Sequence, residues 1–285
     1  MPIENVSDTA LWVAVYRAME TERPDAIFRD PFARRLAGER GEEIVKSIPR
    51  ARSAAWAMIV RTAVYDEIIL DAVRREKVDL VLNLAAGLDA RPWRLDLPPE
   101  LRWVDVDLPG ILQYKSSAMR GERTACRYEA IHTDLTDVEA RRALFQRLGA
   151  EFTRVIVVTE GLLVYLTPEQ VGELARDLSV PRSFRWWLLD LGSPRLLKIM
   201  QRSWGKNAQR GNAAFKFGPP EGTAFFRPFG WRESSYRSSL EDARRLRREM
   251  RGMWFWRLIA RLSSKKRQEE FRRMAGFVLL ERASG

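Results

Sequence analysis

Short apolar runs alternate with helical periodicity through the first two thirds of the chain. The apolar runs predict five buried strands, at residues 79–86, 101–107, 127–133, 154–160 and 183–191. Apolar side chains recur every three or four residues in the intervals between them, as in 138–148 and 168–178. Because strands that alternate with helices pair in parallel, this order predicts a doubly wound α/β sheet.

Three helices are predicted ahead of the first strand. The first covers residues 7–21. A second, short helix begins at 30–31 and has Pro31 in its first turn, and a third runs from about 52 to 75. Since these helices precede the sheet, we predict that residues 1–76 form a helical lid over a cofactor-binding core at 77–192.

The alternation stops after the fifth strand. Residues 193–235 contain scattered Gly, Pro, Ser, Asn and Phe, which predicts a cap insertion at the substrate site. A helix is predicted from 239 to about 251. The apolar segment 253–262, with its spaced arginines, predicts a core-packed helix, and a membrane-surface or partner helix is the alternative. A last strand near 277–281, hairpinned at the sheet edge, would complete the core within 236–285.

The stretch 79–107 carries the strongest candidate chemistry. A strand, the small-residue turn A-A-G that ends at Gly87, and an acid about 20 residues later are typical of a nucleotide-type cofactor site. Gly87 allows close backbone approach to a ligand. Asp107, the last acid of the second strand, could accept hydrogen bonds from two ribose hydroxyls, with Asp105 as the alternative.

The turn differs from a dinucleotide site because it lacks the G-x-G-x-x-G pattern and because Asp89 follows it closely. A pyrophosphate would be repelled by this carboxylate, whereas a cationic sulfonium with an amino-acid tail would not. The pattern therefore favours S-adenosylmethionine over NAD. A purely structural loop between strand and helix is the alternative.

Four ordered motifs add a family resemblance: N-L-A-A-G-L-D-A-R at 83–91, V-D-V-D-L-P at 104–109, H-T-D-L at 132–135 and T-E-G-L-L-V-Y-L at 159–166. Together they resemble the leucine carboxyl methyltransferase family, and more narrowly its bacterial small-molecule branch of class I O-methyltransferases. The resemblance spans roughly residues 5–192. It implies a Rossmann-like, mostly parallel seven-stranded sheet with a helical lid and a cap, and S-adenosylmethionine as the cofactor.

The same resemblance implies roles at the cofactor site. Arg61 occupies the position of a family arginine for the cofactor's carboxylate, which a guanidinium binds with two parallel hydrogen bonds; a surface ion pair with Asp66 or Glu67 is the alternative. Glu160, at the tip of the fourth strand, could hold the cofactor's ammonium group. The predicted cofactor-binding residues are Arg61, Ala85, Gly87, Asp107, Asp134, Leu135 and Glu160.

Within this set, the Asp134 carboxylate and the Leu135 backbone amide would bind the adenine. Tyr165, five residues after Glu160, would face the methyl acceptor or pack in a helix. No catalytic acid or base is predicted, since the reaction depends on proximity and orientation. Many methyltransferases of this class have an acid where this chain has Asn83, which would shift the ammonium to Glu160 or water.

Other charged residues receive structural interpretations. Asp89 and Arg91 are predicted to form an ion pair, Lys115 to be a solvated helix lysine, and His132 to be a strand residue near the cofactor rather than a base. A substrate carboxylate should meet a cation of the cap, and the available ones are Arg195, Lys198, Arg202, Lys206 and Arg210.

The scarcity of bases favours a carboxylate as the methyl acceptor. The 285 residues include one histidine and one cysteine, Cys126, which excludes an internal disulfide and a Cys/His metal site. A carboxylate is already ionised at neutral pH, whereas a phenol or hydroxyl acceptor, the alternative, usually needs a general base. We therefore predict methyl ester formation on an acidic small molecule, such as a biosynthetic intermediate.

The net charge of +11 favours acidic partners, namely an anionic substrate, an acyl carrier protein or nucleic acid, although arginine-rich solvated faces would also produce it. A nucleic-acid binder or RNA methyltransferase is disfavoured because the basic residues are interspersed with acids and no RNA-module motif appears. A non-catalytic interaction protein is a third alternative. The opening residues show no secretion signal and no apolar stretch is long enough to span a membrane, so we predict a cytoplasmic protein. The oligomeric state is open.

Overall fold

A computed structural model describes residues 7–47, 51–210, 214–250, 252–253 and 263–283 of the protein. Its centre is a seven-stranded sheet in the order β3-β2-β1-β4-β5-β7-β6. The strands are β1 Leu80–Leu84, β2 Arg102–Asp107, β3 Arg127–His132, β4 Val155–Thr159, β5 Phe184–Gly192, β6 Trp231–Ser238 and β7 Ala275–Arg282. Strands β1 to β5 pair in parallel and β7 pairs antiparallel with both β5 and β6, which confirms the predicted α/β class.

Helices cover both faces of this sheet. They are α1 Ser7–Thr21, α2 Ala33–Ser47, α3 Ala51–Arg75, α4 Arg91–Arg94, α5 Pro109–Ala118, α6 Val138–Glu151, α7 Pro168–Ser179, α8 Pro194–Arg210, α9 Ser239–Arg245 and α10 Lys265–Arg272. Short 3₁₀ helices occupy Leu163–Tyr165 and Gly222–Phe229. Every residue of β1 and β4 is buried, as expected for parallel strands with both faces covered.

The two core layers follow from side-chain alternation along the strands. Leu80, Leu82 and Leu84 pack with apolar residues of α6 and α7 on one face. Val81 packs with α3 and α9 on the other face. A third cluster joins α1, α2 and the start of α3, which gives the predicted N-terminal lid its own apolar interior.

Two predictions about the C-terminal third need correction. The interval 193–235 contains helix α8, and β6 begins inside it at Trp231, so the sheet resumes earlier than predicted. The last strand, β7, lies between β5 and β6 rather than at the edge, because β6 pairs on its outer side. No short turn connects β6 to β7, because residues 239–274 lie between them. The sequence therefore contained no hairpin signal from which their pairing could be predicted.

Helix α9 ends at Arg245, whereas the sequence predicted an end near residue 251. The helix predicted over 253–262 lies outside the described residues except for Met253. Among the described helices, none combines the length and hydrophobicity that crossing a lipid bilayer requires.

Candidate active site

A cavity of about 510 Å³ opens along the edge of the sheet where the parallel strands end. Its size lies within the range of small-molecule sites, roughly 300–1,000 Å³. The carboxyl ends of β1, β2, β4 and β5 form its floor, and side chains from α1 and α3 form its roof. Five of the seven predicted cofactor-binding residues line it, namely Arg61, Ala85, Gly87, Asp107 and Glu160, and Tyr165 does so as well.

The turn after β1 brings backbone to the cavity. Ala85 and Gly87 have positive φ angles of 54° and 51°, so the chain bends in the left-handed region twice within three residues. An added Cβ at Gly87 would lie 3.2 Å from the Cβ of Ala10 on α1. The absence of a side chain at Gly87 therefore keeps the gap between turn and lid open.

Asp107 connects this turn to the end of β2. Its Oδ2 accepts a hydrogen bond from the Gly87 N–H at 2.7 Å, and its Oδ1 accepts one from the Leu108 N–H at 2.7 Å. Burial raises the pKa of the Asp107 carboxyl, and these two backbone donors only partly oppose that effect. Each carboxylate oxygen retains a further lone pair, so a vicinal diol can still donate to it.

Glu160, at the end of β4, lies between two arginines. Arg61 Nε donates to its Oε1 at 3.0 Å, and Arg91 Nη1 donates to its Oε2 at 2.8 Å. Burial alone would raise the pKa of Glu160, but the charges of Arg91 and Arg61 outweigh it and hold the pKa below its ordinary value. Glu160 is therefore an ionised carboxylate beside the cavity.

Arg61 pairs across the site rather than along its own helix. Besides Glu160, its Nη1 lies 3.6 Å from Asp190 Oδ2, whereas Asp66, the partner in the alternative interpretation, binds Arg91 and Arg94. Glu67, the other alternative partner, contacts arginines near β6 and α9. The Arg61 guanidinium thus faces the cavity, where it is available to a ligand.

The predicted ion pair between Asp89 and Arg91 is confirmed. Arg91 Nη1 donates to Asp89 Oδ2 at 2.7 Å. Burial raises the pKa of Asp89, but the charge of Arg91, followed by that of Lys115, overcomes it and lowers the pKa to about 2. Asn83 donates to Asp89 and also to Asp105, at 3.1 Å each, so its amide links the turn to β2.

Lys115 is not the solvated helix lysine that was predicted. Its Nζ lies 2.5 Å from Asp105 Oδ2, and both side chains are fully buried beneath Trp93 and Tyr128. The sequence carried a signal for this, because Lys115 follows the buried Ile111 by four residues on the same face of α5.

Asp105 is also unsuited to the alternative role as ribose ligand. It accepts hydrogen bonds from Trp103 Nε1 at 2.9 Å and Tyr128 Oη at 3.0 Å in addition to its contact with Lys115. It does not line the cavity, whereas Asp107 on the same strand does.

The loop after β3 lies apart from the cavity lining. Asp134 is exposed, and its Oδ1 accepts hydrogen bonds from Thr136 N at 2.8 Å and Thr136 Oγ1 at 2.7 Å. Leu135 packs against the core cluster under α6, and His132 is exposed at the end of β3. The roles in adenine binding that we predicted for Asp134 and Leu135 therefore stay predictions.

Asp190 is a site residue that the sequence analysis missed. It lies near the end of β5, where its Oδ1 accepts a hydrogen bond from the Gly161 N–H at 2.6 Å. Gly161 has a φ of 71°, and a Cβ there would lie 3.0 Å from Arg61 Nη1. Asp190 could have been predicted from its position, because it is an acid near the end of a parallel strand, as Asp107 and Glu160 are.

Arg17 of α1 also reaches the site. Its Nη2 donates to the carbonyl oxygen of Leu88 at 2.6 Å, and its Nε donates to Asp30 at 2.8 Å. This contact fastens the lid to the turn after β1. Basic residues of an amphipathic helix normally face solvent, so sequence periodicity gave no reason to place Arg17 here.

Fold and site together define a class of protein. The parallel strands have this order, and the glycine turn after β1 is hydrogen-bonded to an acid on β2. An arginine and further acids line the same cavity, and this arrangement fits a nucleoside with a charged amino-acid tail. These are the features of an S-adenosylmethionine-dependent methyltransferase. Residues 10–179, more than half of the chain, match the family model described as leucine carboxyl methyltransferase, and the chain belongs to that family.

Named relatives agree with this assignment. The chain is 29% identical over 243 residues to a candidate S-adenosyl-L-methionine-dependent methyltransferase of Streptomyces avermitilis, covering 80% of this chain and 83% of that protein. Similar candidates from Streptomyces coelicolor and Frankia alni are 34% and 36% identical. In those two, the match covers 58% of this chain and spans 61% of the relative's length.

Solved structures share the fold. A candidate methyltransferase from Thermobifida fusca superposes with a TM-score of 0.59 at 13% identity, covering 100% of this chain and 96% of that one. A DUF574 family protein from Streptomyces avermitilis gives 0.58 at 12% identity, covering 95% and 96%. At such identities the likeness concerns the fold alone.

Proposed function

We propose that this methyltransferase forms a methyl ester on a carboxylate of a small molecule. The observation that supports the proposal is the state of the acids around the cavity. Glu160 and Asp89 are ion-paired with arginines, with lowered pKa values, and Asp107 accepts two backbone hydrogen bonds. Among the described lining residues there is no histidine. A carboxylate acceptor suits such a site because it needs no proton removed.

In this proposal each residue binds or orients a group. Bound S-adenosylmethionine supplies an electrophilic methyl group. Asp107 would accept hydrogen bonds from the ribose hydroxyls, Arg61 would bind the carboxylate of the amino-acid tail, and Glu160 would bind its ammonium group. The roof formed by α1 and α3 would exclude water, and Tyr165 would contact the acceptor.

The proposal is tested with purified protein, methyl-labelled S-adenosylmethionine and a panel of carboxylic acids. We expect a labelled product that alkaline hydrolysis returns to the free acid. We also expect kcat to stay nearly constant between about pH 6 and 9, because a carboxylate is fully ionised throughout this range. A labelled product that resists alkali would contradict carboxyl methylation.

A phenol or hydroxyl acceptor is the second candidate, and Asp190 is the observation that favours it. This carboxylate lines the cavity and its side chain is 26% exposed, so it could take a proton from a hydroxyl. If it does, kcat should fall on the acid side of the pH profile, because a general base acts only when deprotonated, and Asp190→Asn should lower kcat about 100-fold or more. In carboxyl methylation the profile stays flat in both the wild type and the variant.

The same proposal includes the form in which the acceptor is presented and the compartment in which the protein works. The net charge of +11 supports an acidic acceptor, free or attached to an acyl carrier protein. The single cysteine supports a reducing compartment, and hence a cytoplasmic biosynthetic enzyme.

A further inference from the structure

The cavity extends well beyond the residues that would hold the cofactor. It follows the ends of five adjacent strands, β2, β1, β4, β5 and β7, because the antiparallel β7 starts at the edge where the parallel strands end. Neighbouring strands lie about 4.8 Å apart, so this edge is roughly 19 Å wide. Asp107 and the turn at Gly87 belong to the β2–β1 end, and Arg61 contacts both Glu160 and Asp190 near β4 and β5.

The far half, between β5 and the start of β7, has an apolar wall. Helix α8 contributes Leu196 and Met200, the chain after it contributes Phe215, and the C-terminal part contributes Met250, Met274 and Phe277. The one hydroxyl among the described residues of this C-terminal wall, that of Ser239, donates to the Ala275 carbonyl at 3.1 Å. A polar ligand would therefore lose water there without gaining partners.

Cations are also absent from this half in the part of the chain that the structure describes. Of the five cations available to the substrate carboxylate, Arg195, Lys198 and Arg202 are exposed and do not line the cavity. The side chains of Lys206 and Arg210 lie outside the described part of the structure. The side chains of α8 divide by helical spacing, with Leu196 and Met200 four residues apart on the inner face. Among the cations that line the cavity, Arg61 is the one that lies beside Asp190 of β5.

We propose that the methyl acceptor is an acid with a large apolar body, either an aromatic ring system or a hydrocarbon chain. Its apolar body fills the far half, and its carboxylate lies at the border near Tyr165, since Arg61 is assigned to the cofactor. The methionine side chains fit this role because they are flexible and adapt to irregular apolar shapes. This inference rests on the proposed carboxyl methylation and names its substrate class.

The test measures binding of acids to protein saturated with S-adenosylhomocysteine, by calorimetry. Octanoate and 3-phenylpropionate are compared with succinate, which has a second charge in place of an apolar body. We expect the two apolar acids to bind at least about tenfold more tightly than succinate. Equal affinities, or tighter binding of succinate, would overturn the inference.

A pair of neighbouring substitutions on α8 localises the effect. Met200→Lys places a cation in the apolar wall, whereas Ile199→Lys places it on a side chain that is 44% exposed. We expect Met200→Lys to weaken octanoate binding about tenfold or more, while Ile199→Lys and Met200→Leu leave it within about twofold. Unchanged octanoate affinity in Met200→Lys would place the apolar body elsewhere and overturn the inference.

The affinity for S-adenosylhomocysteine serves as the folding control and should be equal in all variants. The two proposals also fail differently. If apolar acids bind in the far half and no ester forms from any of them, the proposed reaction is wrong and the binding preference holds. If esters form preferentially from short, polar acids, the reaction holds and the substrate class is wrong.

Discussion

Two aspartates on the same strand have opposite surroundings. Asp105 and Asp107 lie two residues apart on β2 and therefore project to the same side of the sheet. Asp105 is buried under α5 with Lys115, whereas Asp107 is the last residue of the strand and opens to the cavity. Two positions along a strand thus separate a charge buried in the core from one that faces the cavity.

Substitution at each aspartate should produce a different loss. Asp107→Ala is expected to weaken S-adenosylhomocysteine binding about tenfold or more, because a charge-assisted contact is removed. Asp105→Asn is expected to lower the free energy of unfolding by about 3–5 kcal/mol, because it leaves the Lys115 ammonium buried without its carboxylate. Calorimetric titration and urea denaturation of both variants check this, and the reverse pattern would exchange the two roles.

Asp89 predicts how stability changes with pH. Its pKa in the folded protein is lowered from 3.8 to about 2, so its ionised form stabilises the fold at pH values above the unfolded pKa. This contribution, roughly 2 kcal/mol, disappears as the pH falls from about 4 to about 2. Urea denaturation of the wild type and Asp89→Asn should show a difference at pH 6 that shrinks by pH 2.5; a difference independent of pH would contradict the assignment.

At the scale of elements, the lid and the C-terminal part are joined by a buried ion pair. Arg248 follows α9 and donates from Nε and Nη2 to the carboxylate of Glu20 on α1, at 3.0 and 2.8 Å. The Glu20 side chain is fully buried. Met250, two residues after Arg248, lines the cavity, so this ion pair positions part of the far wall.

Breaking that pair from one side should destabilise the protein strongly. Arg248→Met removes the guanidinium from the buried Glu20 carboxylate, which among the described residues keeps only the Ile27 N–H at 2.8 Å and Arg23 Nε at 3.7 Å. We expect a loss of about 3 kcal/mol in the free energy of unfolding.

The matched control is Arg75→Met, since Arg75 is exposed and pairs with the exposed Asp71, and its loss should stay below about 1 kcal/mol. Adding Glu20→Gln to Arg248→Met should recover part of the loss in urea denaturation. Equal losses in the two single variants would show that Glu20 does not depend on Arg248.

At the scale of the whole molecule, the cavity belongs to no single segment. The lid supplies its roof, the parallel core its floor, and the chain beyond β5 its apolar wall. The cavity therefore takes residues from all three of the segments that the predicted boundaries at 76 and 192 would separate. The chain has a net charge of +11, and several of its arginines form ion pairs with buried carboxylates inside the protein.

The five parallel strands were predicted from the sequence, and so were the turn at Gly87 and the acid Asp107, which meet at the cavity. These features depend on local periodicity and on strand ends, which are written in short stretches such as 79–107. The burial of Lys115 against Asp105, the contact of Asp190 with Arg61 and the position of β7 inside the sheet became visible only in the folded chain. Those outcomes depend on contacts between residues distant along the chain, and no local pattern specifies which distant group a buried charge will meet.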